Sequence, residues 1–217
     1  MVWSVFCFPA AMKFYLFSFF LLFFFSVSAQ KVTREVISAD NIEKISLSGD
    51  EIFKVSFSTA SDKEIVITTQ TEGEYFNDIS LDAELRDKTL FLTSRYREIL
   101  QNGYDKLSAH KVFSMEVELE IPKNMIIEVN SNVASVYLTG IYEQVFVQLK
   151  NGSCYLEDFS GDAVINTYDG NILGTARSIN AEAKSRNGEV EIPKILHGNH
   201  KMVLTSINGD IKISETK

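Results

Sequence analysis

The chain has 217 residues, 45% of them hydrophobic and 23% charged, with 29 acidic against 21 basic side chains and a net charge of −8. That acidity excludes the phosphate-neutralising surface on which nucleic-acid binding rests, and it opposes contact with anionic lipid. Two cysteines and three prolines exclude a disulfide-stapled scaffold and a proline-rich linker chain.

The first expected element is a targeting segment over residues 1–29. Lys13 precedes the apolar run from Phe14 to Phe25, and Ser26-Val27-Ser28-Ala29 follows it. A basic start, a short greasy centre and small residues at −3 and −1 make a secretory signal cut before Gln30. Met12 is an alternative start, and retention as an uncleaved anchor is the alternative fate. Cleavage removes 9 of the 16 Phe, the single Trp and Cys7, leaving Cys154 without an intramolecular partner. Because it removes Lys13 and no acid, the mature chain has 20 basic and 29 acidic residues, a net charge of −9. The product is expected in the periplasm, on the outer-membrane surface or outside the cell, with no stable membrane insertion.

Residues 30–121 read as a β-rich capping half. Ile45-Ser46-Leu47, Phe53 to Phe57, Ile65-Val66-Ile67, Thr89 to Leu92 and Met115 to Ile121 alternate apolar and polar residues, the period of half-buried strands. Pro122 ends the last run, because proline cannot donate to a ladder. Residues 95–110 lack alternation and read as a long loop.

Residues 122–217 carry a repeat, expected to be continuous with the preceding half in a single domain. Asn151-Gly152, Asp169-Gly170, Asn187-Gly188 and Asn208-Gly209 recur at intervals of 18, 18 and 21 residues, and Ala134 holds the glycine place in a degenerate first copy. A fixed period of this kind marks stacked supersecondary units. Positions −7, −5, −3, +2 and +4 from the glycine are apolar or small and point inward, as in Val145, Val147, Leu149, Cys154 and Leu156. The fold class expected is therefore all-β, a β-solenoid of ~18-residue coils. An antiparallel meander or sandwich, with each Asn-Gly closing a hairpin, shares the same parity and stays open. Asn and Asp before glycine are read as residues that tolerate a left-handed backbone.

The run Met115-Glu-Val-Glu-Leu-Glu-Ile-Pro-Lys123, then Ile127-Glu-Val-Asn130 and the repeated Asn-Gly units, resembles the bacterial "putative adhesin" domain family, including its auto-transporter adhesin head type. The resemblance spans about residues 112–213 closely and 31–111 loosely. It implies an extracytoplasmic, β-solenoid-like protein and is weakly specific for activity.

Residues with chemical potential are few. His197 and His200, with Asp210, could begin a metal site, but the loop spacing fixes no common face and they read as surface side chains. Cys154 sits in an inward row and reads as a small hydrophobe rather than a nucleophile. Glu157, Asp158, Asp162, Glu189 and Glu191 fall in different columns and read as solvated charge. No metal, no cofactor and no enzymatic activity are expected.

The outward rows carry the binding expectation. Position −4 holds Asn130, Gln148, Asn166, Lys184 and Thr205, and position +3 begins with Tyr137 and Tyr155. Aromatic faces and amides suit a glycan or protein ligand, with cross-strand packing as the competing role. The function expected is a non-enzymatic adhesin-like or envelope interaction module. A glycan-active β-helix enzyme and an envelope sensor or scaffold are the alternatives. The final unit, Ile211-Lys212-Ile213, is expected to end the stack with an unpaired edge open to self-association.

Overall fold

The computed structural model describes residues 30–73, 79–96, 113–192 and 198–216. In chain order the strands are β1 (Gln30–Ser38), β2 (Lys44–Ser48), β3 (Ile52–Ala60), β4 (Glu64–Gly73), β5 (Ile79–Arg86), β6 (Thr89–Tyr96), β7 (Phe113–Pro122) and β8 (Ile126–Ser131). They continue with β9 (Ser135–Leu149), β10 (Cys154–Thr167), β11 (Ile172–Ala176), β12 (Ile179–Ser185), β13 (Val190–Glu191), β14 (His200–Ser206) and β15 (Ile211–Glu215). Each sequence-expected strand lies within one of these. The anticipated signal, most of the anticipated loop at 95–110 and His197 lie outside the described residues.

All fifteen strands join one mixed sheet in an all-β single domain. The sheet has two arms, because β9 and β10 are long enough to bend and serve both. One arm runs β1-β4-β7-β3-β9-β10-β11-β15-β13, and the other runs β5-β6-β2-β8-β9-β10-β14-β12. Alternate residues of both arms enter a single core.

Pairing between repeat units is parallel and in register at the repeat spacing. Ile127 pairs with Val145, Val145 with Ala163, and Cys154 with Ile172, each 18 residues on. A meander would need antiparallel neighbours here, so the Asn-Gly corners are not hairpins. The same parallel register reaches into the N-terminal part. Leu92, Leu47, Val129, Val147 and Ile165 form one column, and Val117, Val55, Val136 and Cys154 form another. Among the described strands, antiparallel pairing is confined to β1 with β4, β4 with β7 and β5 with β6.

The last two units exchange places in space. Ile165 pairs with Leu204, and Leu204 with Ala183, so the final unit is inserted between the third and fourth. Val147, Ile165 and Ala183 share a column, but Ala183 lies one strand further out than chain order implies. Correspondingly β15 lies between β11 and β13, and the terminal edge belongs to β12 and β13 rather than to Ile211-Lys212-Ile213. The physical reason is coverage. Met202, Leu204, Ile211 and Ile213 are at most 4% exposed between two neighbours, while the outermost unit contributes small Ala181 and Ala183 and a 40% exposed Val190. Burying a leucine-sized side chain contributes ~1.5–3 kcal/mol, so the bulkier unit belongs inside.

The corner glycines have a different reason from the one the dipeptides imply. Gly152, Gly170, Gly188 and Gly209 are absent from the described positions with left-handed φ. They are needed because a Cβ at Gly152 would sit 1.7 Å from the Ala134 carbonyl oxygen, and one at Gly170 would sit 1.8 Å from that of Gly152. Beneath Ala134 the segment 49–53, which includes the start of β3 and lies between the pairs Ser48–Asn130 and Lys54–Ser135, has five residues where the repeat has four, so that corner is spaced differently. The preceding Asn and Asp instead form a ladder, Asn187 to Asn208 at 2.6 Å and Asn208 to Asp169. A true left-handed pair occurs at Asp87 and Lys88, with φ of 45° and 62°, where β5 and β6 form a two-residue hairpin.

Hydroxyls at position −3 complete every corner but that of Gly152, where the place is held by Leu149. Ser206 Oγ accepts from Gly209 N at 2.8 Å and donates to Gly170 O at 3.0 Å, and Ser185 does the same for Gly188 and Gly209. These bonds satisfy buried backbone groups that the turn leaves unpaired.

Two outcomes are expected in urea unfolding. Gly170→Val loses at least about 2 kcal/mol, since the new side chain meets backbone that cannot yield. Ser206→Ala loses ~1–3 kcal/mol, because a buried N–H is left without an acceptor.

Candidate functional site

The two sets of residues singled out for binding lie on different arms. Asn130, Gln148 and Asn166 stand in register on the outer face of β8, β9 and β10, and the column continues through Thr205 to Lys184. Tyr137 and Tyr155 are also in register, on the part of β9 and β10 that belongs to the other arm.

Around the three amides the sheet forms a groove of about 350 Å³, lined also by Lys44, Glu128, Phe146 and Val164. Phe146, Val164 and Val203 occupy position −6, one alternation from the amides, and make a half-buried apolar strip beside them. Lys44 ion-pairs with Glu128 at one end. The three carboxamides are exposed and have no side-chain partner among the described residues. Neighbours on adjacent strands repeat at about 4.8 Å, which makes this a ruler of donors and acceptors along one apolar wall. The sequence-based expectation omitted Phe146 and Val164. Their signal is two apolar residues at an outward position where the first unit has Glu128.

The tyrosines are engaged with each other. Their rings stack at 4.7 Å with 15° between planes, and Lys54 Nζ lies 5.8 Å from the Tyr137 centroid. Lys54 also bonds Glu116 at 3.0 Å, and that hydrogen bond raises its pKa against a smaller desolvation effect. The stack contributes cross-strand stability of ~0.5–1.5 kcal/mol, and both rings are half-buried.

The other candidates are dispersed. His200 Nδ1 faces Asp162 at 3.4 Å, while Asp210 lies beyond the far end of β14 and accepts from Glu189 N at 2.8 Å. Asp158 pairs with Arg177, and Glu189 and Glu191 share Lys212, whose pKa their hydrogen bonds raise. Among the described residues no group of three or more His, Cys, Asp and Glu is arranged to hold a metal ion.

Cys154 is fully buried between Val136 and Ile172, and desolvation pushes its thiol up to about 12. Tyr142 is buried too. Its ring stacks on Phe159 at 5.5 Å, its hydroxyl lies 3.0 Å from the Phe57 and Thr139 carbonyls, and burial raises its pKa. Both are core groups by geometry.

The fold resembles solved structures of bacterial proteins described in adhesion terms. A "putative cell adhesion protein" from Clostridium sporogenes superposes with a TM-score of 0.59 at 13% identity, over 86% of this chain and all of that one. A "putative adhesin" from Bacteroides fragilis gives 0.32 at 12% identity, over 85% and 97%. One from Parabacteroides distasonis gives 0.29 at 12%, over 86% and 97%. The first likeness is one of fold, and the other two are too distant to carry an argument. No family model matches the chain, and no curated protein matches it.

Native protein is expected to resist iodoacetamide at about pH 8 and to react at once when denatured, because only the thiolate attacks and the native thiol is held protonated. Above the ordinary thiol pKa of about 8.5 the unfolded chain releases this proton while the native one keeps it, so this group lowers stability as pH rises towards about 12. Cys154→Ala removes that contribution, which chemical denaturation at two pH values measures.

Proposed function

We propose that the protein is a non-enzymatic, exported, adhesin-like module of the cell envelope that binds a glycan along the amide groove. The observation that carries this reading is the row Asn130, Gln148 and Asn166, three exposed carboxamides without side-chain partners among the described residues, set beside Phe146 and Val164. Sugars present hydroxyls at their rims and C–H faces above and below their rings. A row of paired donors and acceptors next to an apolar strip matches both. The spacing between neighbouring strands is comparable to the length of one pyranose residue, so an extended saccharide lying across the strands would meet a similar contact at each step.

In this reading residues 1–29 are a signal removed on export. The in-register units form the coils of a solenoid that begins in the 30–121 half and continues through 122–217. The product works in the periplasm, on the outer-membrane surface or outside the cell. The acids support binding without turnover. Asp158 is drawn to Arg177, Asp162 to His200, and Glu189 and Glu191 to a shared Lys212, whereas glycoside hydrolysis uses two carboxyl groups flanking one bond.

A glycan array with the chain from Gln30 onward tests the proposal. Binding to a polysaccharide without cleavage, weakened about tenfold or more by Gln148→Ala with Asn166→Ala, is the expected result, since two lost hydrogen bonds at ~0.5–1.5 kcal/mol each amount to about that factor. Glycan binding indifferent to both substitutions, or the absence of glycan binding, overturns it.

A further inference from the structure

The two ends of the sheet are built differently. At β6 and β7 the arms are level; β5 and β4 then add one antiparallel strand to each, and β1 adds one more to the first arm alone. β1 therefore overhangs the other arm by one strand. Its nine residues pair with β4 on one side and, among the described residues, leave a row of unpaired backbone groups on the other. At the opposite end β13 has only two residues.

The side chains of β1 follow the same division. Val32 and Val36, 61% and 52% exposed, lie on its outer face with Arg34. Lys31, Thr33 and Glu35 lie on the inner face and line a cavity of about 120 Å³ with Thr69 and Ile79. The side chains of Lys31 and Glu35 have no partner among the described residues. Inward charge ordinarily blunts an edge against pairing. Here two opposite charges stand four residues apart on one face, an arrangement that is complementary to itself when reversed.

We propose that this edge pairs with a second copy of the chain, β1 against β1 and antiparallel, about a two-fold axis through Thr33. Such an axis keeps inner faces inner, so a residue can stand only opposite one of its own parity. Centred on Thr33, the ladder runs from Gln30 to Val36, and Lys31 of each copy faces Glu35 of the other. Val32 then covers the stem of Arg34. Centring on Arg34 sets two guanidinium groups opposite each other, and centring on Glu35 sets two carboxylates opposite, both of which destabilise. The overhang supplies the room, because two strand positions between the β5 edges of the two copies are taken by no described strand. The two inner cavities then open into one cleft across the axis. This inference is independent of the glycan reading.

Sedimentation of the chain from Gln30 onward, which carries all fifteen strands, tests it over a range of concentrations. The expected result is a monomer–dimer equilibrium whose Kd rises about tenfold or more with Lys31→Glu or with Glu35→Lys, each of which makes both facing pairs like-charged. The double variant Lys31→Glu/Glu35→Lys restores the opposite-charge pairs and returns the Kd to within about threefold of the starting value. Circular dichroism reports that the fold is kept in all three. A chain that stays monomeric to about 1 mM overturns the proposal. So does a dimer indifferent to the single reversals, or one the double reversal fails to restore.

Discussion

Everything in this molecule is spaced by the distance between two hydrogen-bonded strands. Parallel pairing at one repeat length brings each corner within contact of the next, so the Ala134 carbonyl approaches Gly152 and the Gly152 carbonyl approaches Gly170. That approach leaves no space for a Cβ. It also lets Asn151 N reach Asn132 O at 3.0 Å and Asp169 N reach Lys150 O at 2.7 Å, so the corners are hydrogen-bonded as continuously as the strands. With the corners closed, alternate side chains of both arms have one place to go, and the core follows as columns of Leu, Val and Ile.

The same spacing acts on the outside. Side chains that happen to be alike in neighbouring units become rows, and a row is chemically different from its members. Three carboxamides in register offer a repeated pattern of donors and acceptors; two tyrosines in register satisfy one another by stacking. The binding reading rests on that difference, because groups that have found partners inside the chain have less to offer a ligand.

The ends show what stacking leaves unsolved. A parallel stack always has a last unit, covered on one side only. At one end the chain places its least bulky unit there, with Ala181 and Ala183 inward. At the other it changes to antiparallel strands and finishes on β1, whose inner face carries Lys31, Thr33 and Glu35 with Ile37 as its one aliphatic residue. Both arrangements limit the apolar surface lost at an uncovered edge.

The strands, their inward positions and the rows of like residues were legible in the sequence, since alternation and an 18-residue interval are local properties that any all-β packing must honour. The purpose of the glycines was misjudged. Asn-Gly suggests a left-handed turn, but whether a glycine serves its own φ or the carbonyl of a neighbour depends on a segment that is distant in the chain. Parallel and antiparallel pairing share one parity, so alternation left both open, and the constant 18-residue interval was the signal that favoured parallel stacking. The order of the last two units was decided only in three dimensions: Ala181 and Ala183 satisfy the inward pattern as well as Met202 and Leu204 do, and the choice between them turns on which unit has a neighbour on both sides. The separation of the tyrosines from the amides onto two arms was settled in the same way, by where β9 and β10 bend.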